Sequence, residues 1–169
     1  MVTSSTLANA SQVVASAIGS LSGPLHGGAN EKVIAMLQKI ESKEEIRPWL
    51  DETLKAKNVV WGMGHREYSV KDPRANILTD MVQELFEERE GGVTDIFEKA
   101  IELEKACEEK LSHKGVYPNV DFYSGILYKE MDIPTDIFTP IFAMSRVSGW
   151  LAHWIEQIQD NKIFRPTQN

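Results

Sequence analysis

DPRANILTDMVQELFEEREGG, residues 72–92, shows the pattern on which the fold depends. Asp72 followed by Pro73 is typical of a helix start, because aspartate caps free backbone N–H groups and proline needs none at the first helical position. Glycines 91 and 92 predict the helix end. The apolar residues between these signals recur at helical spacing, and we expect them to form a buried face: Ile77, Leu78, Met81, Val82, Leu85 and Phe86.

Helical spacing recurs along the whole sequence, whereas the alternation typical of strands is nearly absent. The sequence therefore predicts an all-α fold. Before residue 72 we expect a helix that ends at residues 22–24, a second over about residues 28–40 and a shorter third. The stripe of the first is Leu7, Val14, Ile18 and Leu21. After residue 92, Thr94 predicts the cap of a helix whose stripe is Phe97, Ala100, Ile101, Glu104 at the margin, Cys107 and Leu111.

The last predicted helix, residues 139–159, is apolar around much of its circumference. Such a helix must be covered on most sides. We infer that a partner covers it, either another copy of the chain or another protein. The apolar residues are Ile141, Phe142, Met144, Val147, Trp150, Leu151, Trp154, Ile155 and Ile158.

Composition excludes several classes of protein. The 169 residues, 42% of them hydrophobic, can form one domain with a core. The 25 acidic and 18 basic residues give a net charge of −7, which argues against nucleic-acid binding. We expect the many Glu and Lys residues between the apolar positions of the two helices after residue 72 to be solvated. The single Cys107 excludes a disulfide framework and a cysteine-based zinc site, and we expect a buried thiol. Because membrane spans and a signal peptide are not evident, we expect a cytoplasmic protein without membrane contact.

Three polar segments interrupt the helical pattern, and they are GPLHGGAN at 23–30, GMGHR at 62–66 and YPNVDFYSG at 117–125. His26 lies at a helix start, where the positive dipole favours a neutral imidazole that can donate to a developing oxyanion or enol. The alternative is a structural hydrogen bond. His65 belongs to a glycine turn that a ligand can approach, or that is only a turn. Asp121 is either a helix cap or a base.

Arg74, Arg146 and Arg165 stand apart from the acidic background. Each could form an ordinary salt bridge. Arg146, in the apolar helix, needs an anion because a buried unpaired charge costs several kcal/mol. Guanidinium groups bind dicarboxylates through paired hydrogen bonds. Together with two histidines and a carboxylate, the arginines indicate chemistry on a carbonyl acid.

These motifs resemble the C-terminal half of citrate synthase. The resemblance rests on GPLHGGAN at 23–30, GHR at 64–66 leading to DPR at 72–74, PNVD at 118–121 and SRVSGW at 145–150, in the family's order and spacing. It implies an acyltransferase that condenses acetyl-CoA with oxaloacetate at the entry of the tricarboxylic acid cycle, then hydrolyses citryl-CoA to citrate and CoA.

The resemblance also implies a role for each candidate residue. Asp121 removes a proton from the acetyl methyl group while neutral His26 stabilises the enol. His65 polarises the keto group of oxaloacetate and then supplies a proton. Arg74 and Arg146 bind substrate carboxylates, and Arg165 resembles an arginine that the family contributes across its dimer interface.

CoA is implied as a co-substrate, with no permanently bound cofactor and no metal. Ser69 stands where relatives often carry a basic residue near the CoA phosphates, and Lys71 is a possible substitute. The backbone expected to hold CoA is that of Val60, Trp61, Gly62, Met63 and Gly64.

In the family's terms, residues 26–138 resemble the small domain, and residues 1–25 and 139–169 resemble pieces of the large domain. The family has roughly 200 further residues before this region, including a histidine that binds oxaloacetate, so we expect activity to need them or a partner chain that supplies them. A homodimer is the expected assembly. Two alternatives remain open, namely 2-methylcitrate synthase, which uses propionyl-CoA, and a non-catalytic fragment that binds CoA or a relative.

Overall fold

The computed structural model describes residues 1–23, 26–88 and 92–165. Regular structure in these ranges is helical, with one isolated bridge between Met63 and Pro118, which confirms the all-α prediction. The chain divides into two compact units. The terminal unit comprises residues 1–28 and 139–169, and the central unit comprises residues 29–138.

Eight α-helices lie in the described residues. Those of the terminal unit are α1 (Val2–Ser5), α2 (Ala10–Leu21) and α8 (Phe138–Gln159), the last of which begins at the final residue of the central unit. The central unit contains α3 (Ala29–Leu37), α4 (Ile46–Lys55), α5 (Pro73–Glu87), α6 (Asp95–Leu111) and α7 (Val120–Glu130). Short 3-10 helices lie at Lys43–Glu45, Ser112–Lys114 and Thr135–Ile137.

The predicted start of α5 is confirmed. Asp72 Oδ1 accepts a hydrogen bond from the backbone N–H of Arg74 at 2.9 Å, and Pro73 is the first helical residue. The predicted apolar face is wrong at Ile77 and Met81, which are exposed. Because α5 packs mainly against one helix, α7, a narrower stripe suffices. Helix α5 ends at Glu87, and glycine 91 of the predicted stop lies outside the described residues.

Helix α7 lies at the middle of the central unit. It packs against α3 and α5, while α4 and α3 contact α6. Phe122, Tyr123 and Ile126 are fully buried, and the main hydrophobic core consists of central-unit residues. Because α7 is surrounded, the position of its first turn is fixed by the core.

Two charged residues of α6 and α7 are buried, and for Lys99 of α6 the expectation of a solvated face is wrong. Lys99 is 4% exposed and forms an ion pair with Asp95 at 2.6 Å. Glu130 is 5% exposed and accepts a hydrogen bond from the Thr94 hydroxyl at 2.6 Å. The predicted burial of Cys107 is confirmed, and that burial raises the pKa of its thiol to about 12.

The first predicted helix is in fact two helices. Leu7 is exposed between α1 and α2 with φ at 62°, so its place on the predicted stripe is wrong. The physical reason is a capping box: Asn9 Oδ1 accepts from the N–H of Gln12 at 3.0 Å, and Gln12 Oε1 accepts from the N–H of Asn9 at 3.1 Å. A new helix therefore starts at Ala10.

Helix α8 forms as predicted but is poorly covered. Phe138 is its one buried residue, whereas Met144 is 75% exposed. Arg146 is exposed in this chain, and the expectation that it binds an anion stays a prediction. Trp154 Nε1 donates to the Ala8 carbonyl at 3.1 Å and holds α8 beside the segment that joins α1 to α2. What covers the apolar face stays a prediction.

Candidate functional site

The candidate site of the central unit begins with a backbone clamp between residues 62–64 and 117–119. The Gly64 N–H donates to the Tyr117 carbonyl at 2.7 Å, and the Asn119 N–H donates to the Gly62 carbonyl at 2.9 Å. Asn119 Nδ2 also donates to the Gly64 carbonyl at 2.8 Å. These bonds hold the segment that leads into His65 beside the start of α7.

Gly62 lets this segment approach the core closely. Its φ of +79° lies in the left-handed region, and a Cβ there would lie 2.8 Å from Val33 Cγ2 and 2.9 Å from Phe122 Cα. No L-residue fits both the conformation and the space without displacing α3 or α7. The clamp therefore requires glycine at position 62.

His65 is exposed, and hydrogen bonds from the loop that follows select one tautomer of its neutral ring. Its Nδ1 accepts hydrogen bonds from the backbone N–H groups of Glu67 at 3.0 Å and Tyr68 at 3.1 Å. The imidazole also stacks on the Tyr68 ring, with centroids 4.5 Å apart. Because Nδ1 is an acceptor, the neutral imidazole has its proton on Nε2. The Nε2–H of this exposed side chain is then a hydrogen-bond donor.

Asp121 is half-buried in the first turn of α7. Its backbone N–H donates to the Asn119 side chain at 2.9 Å, so Asn119 both caps α7 and binds the Gly64 carbonyl. The positive end of the helix dipole favours an ionised carboxylate in the first turn. Asn119 rather than Asp121 therefore caps the helix, and the role of the Asp121 carboxylate as a base stays a prediction.

Arg74 and Asp72 form a paired contact next to these residues. Arg74 Nε and one terminal nitrogen donate to the two Asp72 carboxylate oxygens at 3.0 and 2.7 Å. These bonds lower the pKa of the Asp72 carboxyl and raise the pKa of Arg74, and Asp121 adds a smaller electrostatic contribution that raises the pKa of Arg74. Asp72 is 1% exposed, whereas the Arg74 side chain is 43% exposed. The guanidinium is thus oriented by a buried carboxylate and still reaches solvent.

His26, Arg146 and Arg165 belong to the terminal unit, and all three are exposed. The His26 N–H donates to the Gly23 carbonyl at 2.9 Å, and residues 24 and 25 of its motif lie outside the described residues. The Arg146 guanidinium lies 5.0 Å from the centre of the Phe142 ring. Arg165 follows Phe164, whose N–H donates to the Ser5 hydroxyl at 2.9 Å.

The central unit therefore brings His65, Arg74 and Asp121 together around the clamp. The other three candidates lie in the terminal unit, and each unit is described by itself. The meeting of all six side chains at one site stays a prediction.

The residues expected to hold CoA form the first half of the same loop. Val60 and Gly62 are buried, and the Lys32 ammonium lies 4.1 Å from the centre of the Trp61 ring. Lys71 Nζ lies 2.5 Å from Glu104 Oε1, so its ammonium has a partner within the protein. The described residues contain no cluster of His, Cys, Asp and Glu side chains suited to a metal ion. Among the described helices, none has the length and apolar character of a membrane span.

Sequence reasoning missed three residues of this site. Asn119 and Tyr68 orient Asp121 and His65, and Glu104 binds Lys71. The signal for Asn119 was its place two residues before Asp121, where asparagine is a favoured helix cap. The contacts of Tyr68 and Glu104 depend on tertiary structure and have no local signal.

Comparison with known proteins finds one family along nearly the whole chain. The sequence profile of the family described as citrate synthase, C-terminal domain, matches residues 1–167. The citrate synthase of Synechocystis is 56% identical over 167 residues, which cover 99% of this chain and 42% of that protein.

Two solved structures have the same fold. Citrate synthase from Thermotoga maritima has a TM-score of 0.89 and 42% identity, over 99% of this chain and 45% of that one. The ternary complex of citrate synthase from Thermoplasma acidophilum with carboxymethyl coenzyme A and oxaloacetate has a TM-score of 0.90 and 36% identity, with the same coverage. This chain spans less than half the length of these relatives. On the match of the family profile to nearly every residue, the chain belongs to the citrate synthase family.

Proposed function

We propose that this chain supplies the small domain and the C-terminal part of the large domain of a citrate synthase. The enzyme condenses acetyl-CoA with oxaloacetate and water to give citrate and CoA. Because the chain spans 42% of its Synechocystis relative, the activity requires the remaining large-domain segment, on the same or a separate polypeptide. The small domain is assigned to residues 26–138 and the large-domain parts to residues 1–25 and 139–169.

The observation that carries this proposal is the clamp between residues 62–64 and 117–119. Along the chain, His65 and Asp121 are far apart. The clamp nevertheless puts the loop of residues 60–71, here called the His65 loop, beside the helix turn that carries Asp121. A hydrogen-bond donor for one reactant and a base for the other are what a carbon–carbon condensation needs.

Oxaloacetate is assigned to His65 and the arginines. The His65 Nε2–H donates to the keto oxygen, which makes the keto carbon more electrophilic. Arg74 binds a substrate carboxylate, and its orientation by Asp72 lowers the entropy lost on binding. Arg146 and Arg165 are assigned to the carboxylates from the terminal unit, Arg165 across the interface of a homodimer.

Acetyl-CoA is assigned to Asp121, His26 and the loop of residues 60–64, with Lys71 as a possible contact to the CoA phosphates. The Asp121 carboxylate removes a proton from the acetyl methyl group, and neutral His26 donates a hydrogen bond to the thioester oxygen of the resulting enol. The enol carbon attacks the keto carbon of oxaloacetate, and the new alkoxide takes the Nε2 proton of His65. The proton that Asp121 removed returns to His65 through water, so that both groups regain their starting charge. Water then cleaves the C–S bond of citryl-CoA and releases citrate and CoA.

The test is a hybrid enzyme in which this chain replaces the aligned 167-residue segment of the Synechocystis citrate synthase. Release of the CoA thiol is followed with both substrates, with each alone, and with propionyl-CoA in place of acetyl-CoA. We expect release that requires both substrates and is faster with acetyl-CoA. A folded hybrid that binds CoA without releasing thiol would contradict the proposal. Faster turnover of propionyl-CoA would assign 2-methylcitrate synthesis instead.

A matched pair of histidine variants tests the assignment of His65. His65→Gln in the hybrid should lower kcat by about 10²–10⁴-fold, the usual contribution of a positioned acid or base. His113→Gln is the control, because His113 is exposed on a 3-10 helix of the same unit and has no assigned role. Equal kcat values for the two variants would refute the role of His65.

A further inference from the structure

A carboxylate of α6 joins the two segments that carry the central part of the site. Glu104 accepts a hydrogen bond from the Tyr123 hydroxyl and forms an ion pair with Lys71, whose Nζ lies 2.5 Å from Oε1. Lys71 ends the loop that contains His65, and Tyr123 lies two residues after Asp121 in α7. The Glu104 side chain is 14% exposed, and Tyr123 is fully buried.

We propose that Glu104 is a positioning residue for the reaction, because it fixes the distal end of the His65 loop to the helix that carries Asp121. This inference rests on the proposed function. Glu104 is not assigned to either substrate, and it acts through its contacts with Lys71 and Tyr123.

The geometry of the loop gives the reason. Its first part is held by the clamp of residues 62–64 with residues 117–119, and its last part is held by Lys71 on Glu104. The Lys71 ammonium also lies 5.7 Å from the centre of the Tyr123 ring, so lysine, glutamate and tyrosine contact one another. Between the two attachments lie His65 and Tyr68, whose contacts to each other are local. The next residue, Asp72, also donates its N–H to the Pro118 carbonyl at 3.4 Å, so removing the Lys71–Glu104 contact leaves the distal end held by this one long backbone hydrogen bond and gives the segment before it more freedom.

The arrangement also separates two roles for Lys71. If Lys71 contacts the CoA phosphates, its replacement raises KM for acetyl-CoA. If it connects the loop to Glu104, its replacement lowers kcat, because a displacement of about 1 Å in a catalytic group can reduce the rate about 10²-fold. The ion pair with a largely buried carboxylate favours the second role.

The first experiment measures backbone hydrogen exchange in the full 169-residue chain. The variants are Glu104→Gln, Lys71→Met and Tyr123→Phe, the last of which removes only a hydroxyl from the core. The control is Glu102→Gln, which breaks an ion pair of the same helix with Arg47, on a different segment. We expect the three variants to speed exchange of the Glu67 and Tyr68 amides by about tenfold, with the control unchanged, because loss of an attachment favours local opening. Unchanged exchange in all three would overturn the proposal.

The second experiment measures steady-state kinetics in the hybrid enzyme. Glu104→Gln and Lys71→Met should each lower kcat by about 10–100-fold while KM for acetyl-CoA stays within about twofold. The positioning role would be overturned if Lys71→Met raised KM for acetyl-CoA without changing kcat and Glu104→Gln changed neither constant. That result would assign Lys71 to CoA. If the parent hybrid is inactive, the proposed function fails by itself, and the exchange experiment still tests the attachment.

Discussion

Helices α7 and α8 are both rich in apolar residues, but the chain covers them differently. In α7, Phe122, Tyr123 and Ile126 are fully buried among other helices of the central unit. In α8, Phe138 is the one buried residue. The central unit therefore completes its own core, whereas most apolar residues of α8 in the terminal unit stay partly or largely exposed within this chain. The proposed site divides in the same way, because His65, Arg74 and Asp121 belong to the central unit and His26, Arg146 and Arg165 to the terminal unit.

The largest expected effect is on the free energy of unfolding, and it is seen by comparing a buried with an exposed methionine. Met36→Ala in α3 should lower the free energy of unfolding by about 2–5 kcal/mol, because Met36 is buried in the core and its loss leaves a cavity. Met144→Ala in α8 should change it by less than about 0.5 kcal/mol, because Met144 is mostly exposed. Urea denaturation of the isolated chain measures both. Similar losses for the two variants would show that α8 is covered in solution.

The next effect compares two aspartates of the central unit. Asp72→Asn should destabilise the chain by about 1.5–3 kcal/mol, the range for hydrogen bonds to charged groups, because Asp72 is buried against Arg74. Asp51→Asn removes the exposed ion pair with Lys110 and should cost much less, because solvent screens an exposed pair. Thermal unfolding at neutral pH compares them, and a smaller loss for Asp72→Asn than for Asp51→Asn would contradict the account.

The same aspartate predicts a pH dependence. Because the Arg74 guanidinium holds the pKa of the Asp72 carboxyl below its ordinary value, the ionised form stabilises the folded state. This contribution is present above about pH 4, the ordinary aspartate pKa, and is lost as pH falls through the lowered folded-state pKa. Denaturation between neutral and acidic pH should therefore show a shallower decline in stability for Asp72→Asn than for the parent chain. Parallel curves would contradict this assignment.

The smallest effect compares two helix caps. Asn9→Ala removes the capping box of α2 and should cost about 1 kcal/mol. Thr94→Ala removes the cap of α6 and also the hydroxyl that donates to buried Glu130, so it should cost more, about 1–3 kcal/mol. Helical circular dichroism during thermal unfolding measures both. If the two units unfold separately, each substitution shifts only the transition of its own unit.

Local signals account for the parts of the fold that the sequence predicts well. Asp72, Pro73 and Thr94 mark helix starts by chemistry confined to neighbouring residues, and the structure places helices there. Ile77 is apolar but exposed, because periodicity tells which residues share a face and not how deeply that face is buried. Leu7 is exposed because the capping box at Asn9 starts a new helix after it.

The candidate site shows a similar limit. The motifs containing His65, Arg74 and Asp121 are visible in the sequence, and their resemblance to one family indicates their chemistry. The ion pair of Lys71 with Glu104 joins positions that are distant along the chain, and the sequence offers no local pattern for it. Tertiary structure is needed to find the residues that position the site.

The central claim is that Asp121 acts as the base of the condensation. The most direct test compares kcat of the hybrid enzyme after Asp121 or, as a control, Asp80 is replaced by asparagine. Asp121→Asn keeps the shape of the side chain and the backbone cap but removes the base, so kcat should fall by about 10²–10⁴-fold. Asp80→Asn, at an exposed position of α5, should leave kcat unchanged. Full activity in Asp121→Asn would contradict the account, because no other carboxylate is assigned to remove the acetyl proton.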